Sequence, residues 1–225
     1  MTSSPFPRLS GLLISQFGGA FNDNAWKLLV ALLGIRQVEA VVGSGLDLGA
    51  ASQTQTTLAF TAFTLPLLLT SLVAGLLADR LSKRTILVAM KAFEVVLMAA
   101  GTVALWITPD GGVLPLVVLG GMGIHSALFS PAKYGIVPEL LPHEQLSTGN
   151  GLLELWSFLA ILLGTVAGGL LLGVSGTSPW LAGLALLMVA LIGLAAARTI
   201  PPVPAARTTG GLADTWRQAW AALAQ

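Results

Sequence analysis

The sequence contains no cysteine, which excludes a disulfide framework, thiolate catalysis and any Cys-ligated metal centre. Charge is the second scarcity. Only 9% of residues are Asp, Glu, Lys or Arg, against about 25% in an average soluble domain. The net charge is +1 and no long basic run occurs, so the clustered cations that neutralise nucleic-acid phosphates are missing. No His-x-x-x-x-Asp pattern follows His125 or His143, and no glycine-rich phosphate loop ending in lysine is present. Neither acyl-transfer nor nucleotide chemistry therefore has its usual residues, and no cofactor or metal is expected.

Apolar surface is what the chain has in abundance, with 55% of its 225 residues hydrophobic and a mean hydropathy of +0.84. So few charges cannot cover a water-soluble domain of this length, and lipid is the expected solvent. Six apolar runs occupy residues 11–34, 57–77, 85–107, 113–129, 151–173 and 180–197. Each approaches the ~20 residues a helix needs to cross the hydrocarbon core. Transmembrane strands would alternate over ~10 residues, whereas 161–172 and 181–194 are apolar or small on every face. The expected fold is all-α, an integral membrane bundle of six transmembrane helices within residues 1–200. The first run is too long for a cleaved signal peptide, carries Asp23 and Lys27 and lacks a clear small-residue cleavage site, so it should persist as the first helix.

Cations set the expected orientation. Arg8, Arg80, Lys83, Arg84, Lys133, Arg198, Arg207 and Arg217 fall on one side of the helices and Arg36 alone on the other, which places both termini in the cytoplasm. The turns at 108–112 and 176–179 carry no cation and read as short external turns. Pro201, Pro202 and Pro204 break the sixth helix, 208–211 reads as linker, and 201–225 reads as the start of a cytoplasmic loop. There Leu212, Trp216, Trp220 and Leu223 recur at near-helical spacing. Two readings stand for them: an amphipathic helix on the membrane surface, or a frayed tail with tryptophans at the interface. The sequence stops inside this stretch, which reads as truncation.

Five ionisable residues, Asp23, Lys27, Lys91, Glu94 and Glu154, lie well inside apolar runs. Each costs about 2.5–3.5 kcal/mol at a membrane centre, so they should face a cavity or one another. Counted from Gly11, Asp23 lies roughly 18 Å into the bilayer. Gln16, Asp23 and Lys27 share one helical stripe. Asp23 and Lys27 can neutralise each other at i, i+4, but the flanking amides of Asn22 and Asn24 add a cost that a closed pair would not require and favour a cavity. Lys91 and Glu94, at i, i+3, fit a self-neutralising pair better. In the fifth run Asn150, Glu154, Ser157, Ile161, Gly164 and Gly168 share a face that is polar near the cytoplasm and small toward the outside. Glu154 has no charge partner on its own helix and needs one elsewhere. His125 reads equally as a satisfied interior histidine or a cavity residue. Pro131 should bend or end the fourth helix just before Lys133, leaving that lysine near the cytoplasmic mouth as a substrate ligand or a positive-inside anchor.

After the second run the sequence reads Gly75, Leu76, Leu77, Ala78, Asp79, Arg80, Leu81, Ser82, Lys83, Arg84. This resembles the signature loop of the major facilitator superfamily, Gly-x-x-x-Asp-Arg-x-Gly-Arg-Arg, with Ser82 where glycine is usual. Gly75 would permit close helix approach, while the cations hold the loop in the cytosol. The resemblance implies a conformational-switch loop of Gly75, Asp79, Arg80, Lys83 and Arg84, in which Asp79 faces a second six-helix half. It also implies inverted three-helix repeats, of which the paired glycines Gly18–Gly19 and Gly120–Gly121 are the only trace.

Three further strings narrow the resemblance: Ala20, Phe21, Asn22, Asp23, Asn24; Ser130, Pro131, Ala132, Lys133, Tyr134, Gly135; and Asn150, Gly151, Leu152, Leu153, Glu154. They are similar to the lysophospholipid transporter branch of the superfamily. That resemblance implies a flippase of the bacterial inner membrane carrying lysophospholipid, notably lysophosphatidylethanolamine, inward to a cytoplasmic acyltransferase. It implies functional roles for Asp23, Lys133 and Glu154, beside which Asn24 and Lys27 are candidate substrate ligands. A zwitterionic headgroup suits this inventory, with carboxylates Asp23 and Glu154 for the ammonium and Lys133 for the phosphate. The alternatives are an ion-coupled facilitator for a drug or small metabolite, the membrane domain of an acyltransferase or acyl-synthetase fusion, and a half-transporter that dimerises.

Overall fold

The computed structural model describes residues 6–42 and 48–203. Among them every regular element is helical: α1 (Phe6–Val42), α2 (Leu48–Arg80), α3 (Lys83–Ile107), α4 (Val113–Gly135), the one-turn α5 (Val137–Leu140), α6 (Leu146–Ser175) and α7 (Trp180–Arg198). A 3-10 turn, His143–Gln145, leads into α6. The tryptophan-bearing stretch at 212–223, with Arg207 and Arg217, lies outside the described residues.

Four described stretches are long and apolar enough to cross a bilayer: Lys83–Ile107, Val113–Leu140, His143–Ser175 and Trp180–Arg198. α1 is longer, at 37 residues, and outruns its apolar core because Arg36, Gln37 and Glu39 continue the helix with polar side chains. Such residues have helix propensities close to leucine's, so the helix need not stop where hydropathy does. An end of the helix at Pro131 is corrected by the structure, since α4 runs through Pro131 to Gly135. A proline removes its own helical hydrogen bond, yet the next turn is restored where the Ile136 amide donates to the Ala132 carbonyl at 3.0 Å. Between α3 and α4 the chain reverses through Gly111 and Gly112, whose φ values of 99° and 106° favour residues without a Cβ.

The helices pair in a pattern that betrays an internal exchange. α1 packs along α6 as α4 packs along α2, α1 lies on α7 as α4 lies on α3, and α3 lies on α7. Swapping α1, α2, α3 for α4, α6, α7 maps each pair onto another or onto itself, as an internal repeat requires. The exchange is incomplete: α1 lies against α2 and α6 touches α7, whereas the counterparts, α4 with α6 and α2 with α3, scarcely touch.

Small residues set the closest approaches. A Cβ on Gly164 would sit 2.4 Å from the Phe21 carbonyl oxygen and one on Gly168 2.4 Å from that of Ala25, so α6 meets the backbone of α1 directly. Gly123 is likewise 2.2 Å, by the same measure, from the Phe63 carbonyl oxygen, joining α4 to α2. Gly75 is different. The close approach expected there is not found, because nothing described lies within 4 Å of the position its Cβ would take.

Two apolar clusters form the core, one around Trp26, Leu29, Met98, Leu119 and Leu186 and the other around Leu9, Leu12, Leu87, Ile136 and Leu153. Between them, on α1, α3, α4 and α6, fall the buried polar residues Gln16, Asn22, Asp23, Lys91, Glu94, His125 and Ser157. A polar layer at mid-height of an apolar bundle is costly unless it serves a site. The outward faces are apolar, as at Leu69, Trp106 and Val174, which are 71%, 71% and 82% exposed.

Candidate functional site

A half-open cavity of about 470 Å³ borders the polar layer. Its walls come from α1 (Gln16, Asp23, Asn24, Lys27), α2 (Phe63, Leu67, Ser71), α4 (His125, Ser126, Phe129, Ser130, Lys133), Lys91 of α3 and Ile161 of α6. α4 can approach α1 here because the wall is lined by small residues, Gly19 and Ala20 on one side and Ser126 and Ala127 on the other.

Asp23 is buried in this wall, 8% exposed. The Ser126 hydroxyl donates to its Oδ2, while Oδ1 is buried without a hydrogen-bond partner. A carboxylate held on one side and unsatisfied on the other is an acceptor waiting for a donor. The i, i+4 pairing with Lys27 is not made. Lys27 instead rests its ammonium over the rings of Phe63 and Phe60, 4.1 Å and 5.4 Å from their centroids. Asn24 lines the cavity but turns its amide to the Ala20 carbonyl at 2.7 Å.

Lys91 and Glu94 do pair, as their spacing suggests, and both side chains are fully buried. Glu94 also accepts from Asn22 Nδ2 at 2.8 Å, and that amide reaches the Leu186 carbonyl of α7 at 3.2 Å. His125 Nε2 lies 3.5 Å from Glu94 Oε2, its ring is stacked on Phe129, and both ring nitrogens lack hydrogen-bond partners. His125 is therefore interior and on the cavity wall at once. This cluster ties α1, α3, α4 and α7 around the site.

Lys133 lines the far end of the cavity, 7% exposed, with its ammonium 4.4 Å from the Tyr134 ring centroid. The Tyr134 hydroxyl donates to Glu154 Oε1 at 2.6 Å, giving Glu154 the partner its own helix lacks. Glu154 is exposed beside the mouth rather than in the cavity wall, so it does not share one pocket with Asp23. Along the same face Ser157 accepts from Gln16 Nε2 at 2.8 Å, and Gly164 and Gly168 form the tight upper contact.

The loop between α2 and α3 is a separate assembly. Arg84 donates from Nε to the Ile200 carbonyl at 2.6 Å and from Nη2 to the Arg198 carbonyl at 3.1 Å, capping the end of α7. Ser82 donates to the Val203 carbonyl at 2.7 Å, and Lys83 pairs with Glu139 of α5. Arg80 closes α2; the Asp79 side chain lies outside the described set. Sequence reasoning missed Ser126, Phe63 and the role of Tyr134. Tyr134 stands inside a quoted string, but nothing local marks a serine or phenylalanine that matters only through a neighbouring helix.

The family model described as Major Facilitator Superfamily matches residues 9–224. The lysophospholipid transporter LplT of Photorhabdus laumondii is 34% identical over 206 residues, covering 90% of this chain and 45% of that protein. Those of Yersinia enterocolitica and Salmonella heidelberg are each 32% identical over 209 residues, covering 92% of this chain and 44% and 45% of theirs. The chain thus spans just under half the length of these curated relatives. With the family model matching almost end to end on an all-helical bundle, the chain belongs to the Major Facilitator Superfamily.

Proposed function

We propose that this chain is the N-terminal six-helix half of a transporter that flips lysophospholipid, chiefly lysophosphatidylethanolamine, inward across the bacterial inner membrane. In this reading α1, α2, α3, α4, α6 and α7 all cross the bilayer and both termini are cytoplasmic, an arrangement the cation asymmetry supports. The face bearing the cavity and Gly75 meets a second six-helix half, and the product is delivered to a cytoplasmic acyltransferase.

One observation carries the reading: Asp23, a mid-helix carboxylate with an unpartnered oxygen, stands in a half-open cavity that also presents the apolar side chains of Phe63, Leu67 and Ile161. An ammonium satisfies that oxygen, Lys133 suits a phosphate, and Phe63, Leu67 and Ile161 give a single acyl chain an apolar flank. The names of the relatives point to the same substrate.

Binding tests it directly. Lysophosphatidylethanolamine should raise the unfolding temperature of the full-length protein, by an amount equivalent to ~2.7 kcal/mol at a hundred times the dissociation constant. A diacyl phosphatidylethanolamine should give little. Equal stabilisation by both lipids, or by neither, would contradict a single-chain substrate and turn attention to ion-coupled uptake of small solutes.

A further inference from the structure

Four charged residues of the cavity and its mouth alternate in sign along the helix axes. We propose that Lys27, Asp23, Lys133 and Glu154 form a ladder that gives a zwitterionic phospholipid headgroup two successive docking positions, first between Lys27 and Asp23, then between Lys133 and Glu154. The proposal rests on the lysolipid reading and adds that the headgroup is handed from one cation–anion pair to the next rather than held in a single site.

Helix geometry sets the order. Ser126 of α4 bonds Asp23 of α1, so these two residues share a level. The helices are antiparallel, because Leu9 and Leu12 share one core cluster with Ile136 and Leu29 and Leu33 share the other with Leu119. Lys27, four residues along α1, is displaced by ~6 Å toward one end, and Lys133, seven residues along α4, by ~10 Å toward the other. Glu154 lies beyond, three residues before Ser157, whose partner Gln16 is itself ~10 Å from Asp23 along α1.

The four residues are kept open, which separates them from the structural pair. The salt bridges of the described residues, Lys83–Glu139 and Lys91–Glu94, and the close approach of His125 to Glu94 include none of them. Lys91 and Glu94 close on each other with no exposure, which is how this fold neutralises charge it does not use. Lys27 and Lys133 instead rest on aromatic rings, contacts that a phosphate can replace with charge-assisted hydrogen bonds. Tyr134 is a positioning residue: its ring carries Lys133 and its hydroxyl holds Glu154, so it spaces the second pair across the gap between α4 and α6. An ammonium passes from Asp23 to Glu154 while the phosphate passes from Lys27 to Lys133.

These 225 residues contribute no cysteine, and any cysteine elsewhere in the full-length protein is first replaced by serine. In the full-length protein in vesicles, single cysteines replace Leu67, near the level of Asp23, or Ser130, one turn from Lys133; both positions line the cavity. Labelling by a membrane-permeant maleimide is timed with and without lysophosphatidylethanolamine. The lipid should slow labelling at least fivefold at both positions. Adding Lys27→Ala should abolish protection at Leu67→Cys and leave it at Ser130→Cys, Lys133→Ala should do the reverse, and Lys27→Arg or Lys133→Arg should restore it. If either alanine variant removes protection at both cysteines, or neither changes it, the ladder is overturned while the lysolipid reading stands. If lysolipid protects neither cysteine before any lysine is changed, the lysolipid reading itself fails, and the ladder with it.

Discussion

Asn22 and Asp23 are neighbours with opposite duties. Asn22 points into the bundle and fastens Glu94 to the α7 backbone, while Asp23 points to the cavity. A helix turns 100° per residue, so one step along α1 separates structure from function. The buried Lys91–Glu94 pair gives a clear expectation at this scale. Glu94→Gln leaves an uncompensated ammonium at a position of zero exposure and should cost ~3–5 kcal/mol, measured as loss of thermal stability in detergent. Lys91→Met combined with Glu94→Gln should recover much of that loss, because no buried charge remains. A Glu94→Gln protein as stable as the original would mean the pair is not holding the layer. The pair was legible from its spacing. Its ties to Asn22 and His125 were not, since those depend on which helices meet.

At the scale of the element, hydropathy marked where helices exist but not how far they run or whom they touch. α1 continues to Val42 and α4 through Pro131 because neither polar side chains nor one missing hydrogen bond ends a helix that neighbours support. The alternating small and polar face of α6 was readable, and it separates as its composition suggests: Gly164 and Gly168 against α1, Ser157 bonded to Gln16, Glu154 out at the mouth. The seam has a testable cost. Gly168→Val would force a side chain into the Ala25 carbonyl, 2.4 Å from its Cβ, and overpacking of that kind costs ~1–3 kcal/mol or more. Thermal unfolding should show that loss, whereas Gly173→Ala, with nothing within 4 Å, should stay within ~1 kcal/mol of the original. Equal effects of the two would place the α1–α6 seam elsewhere.

Across the whole molecule, two apolar cores enclose one polar layer, and the cavity opens from that layer. The layer draws on the middles of α1 and α4, the two helices that the exchange of pairs interchanges, together with α3 and α6. Composition alone disclosed an apolar helical bundle, and the string from Gly75 to Arg84 pointed to the superfamily. The pairing of α4 with α2 and α1 with α6 needed coordinates, because every helix here is apolar enough to pack on any other. The full-length protein is the system in which transport must be judged. The decisive measurement is transbilayer flipping of labelled lysophosphatidylethanolamine in vesicles reconstituted with that protein, beside Asp23→Asn and a labelled diacyl lipid. Flipping should be selective for the single-chain lipid and fall at least tenfold in the variant. Flipping that is unchanged by Asp23→Asn, or no faster than in empty vesicles when the protein is folded, would contradict a mid-membrane carboxylate that receives the headgroup.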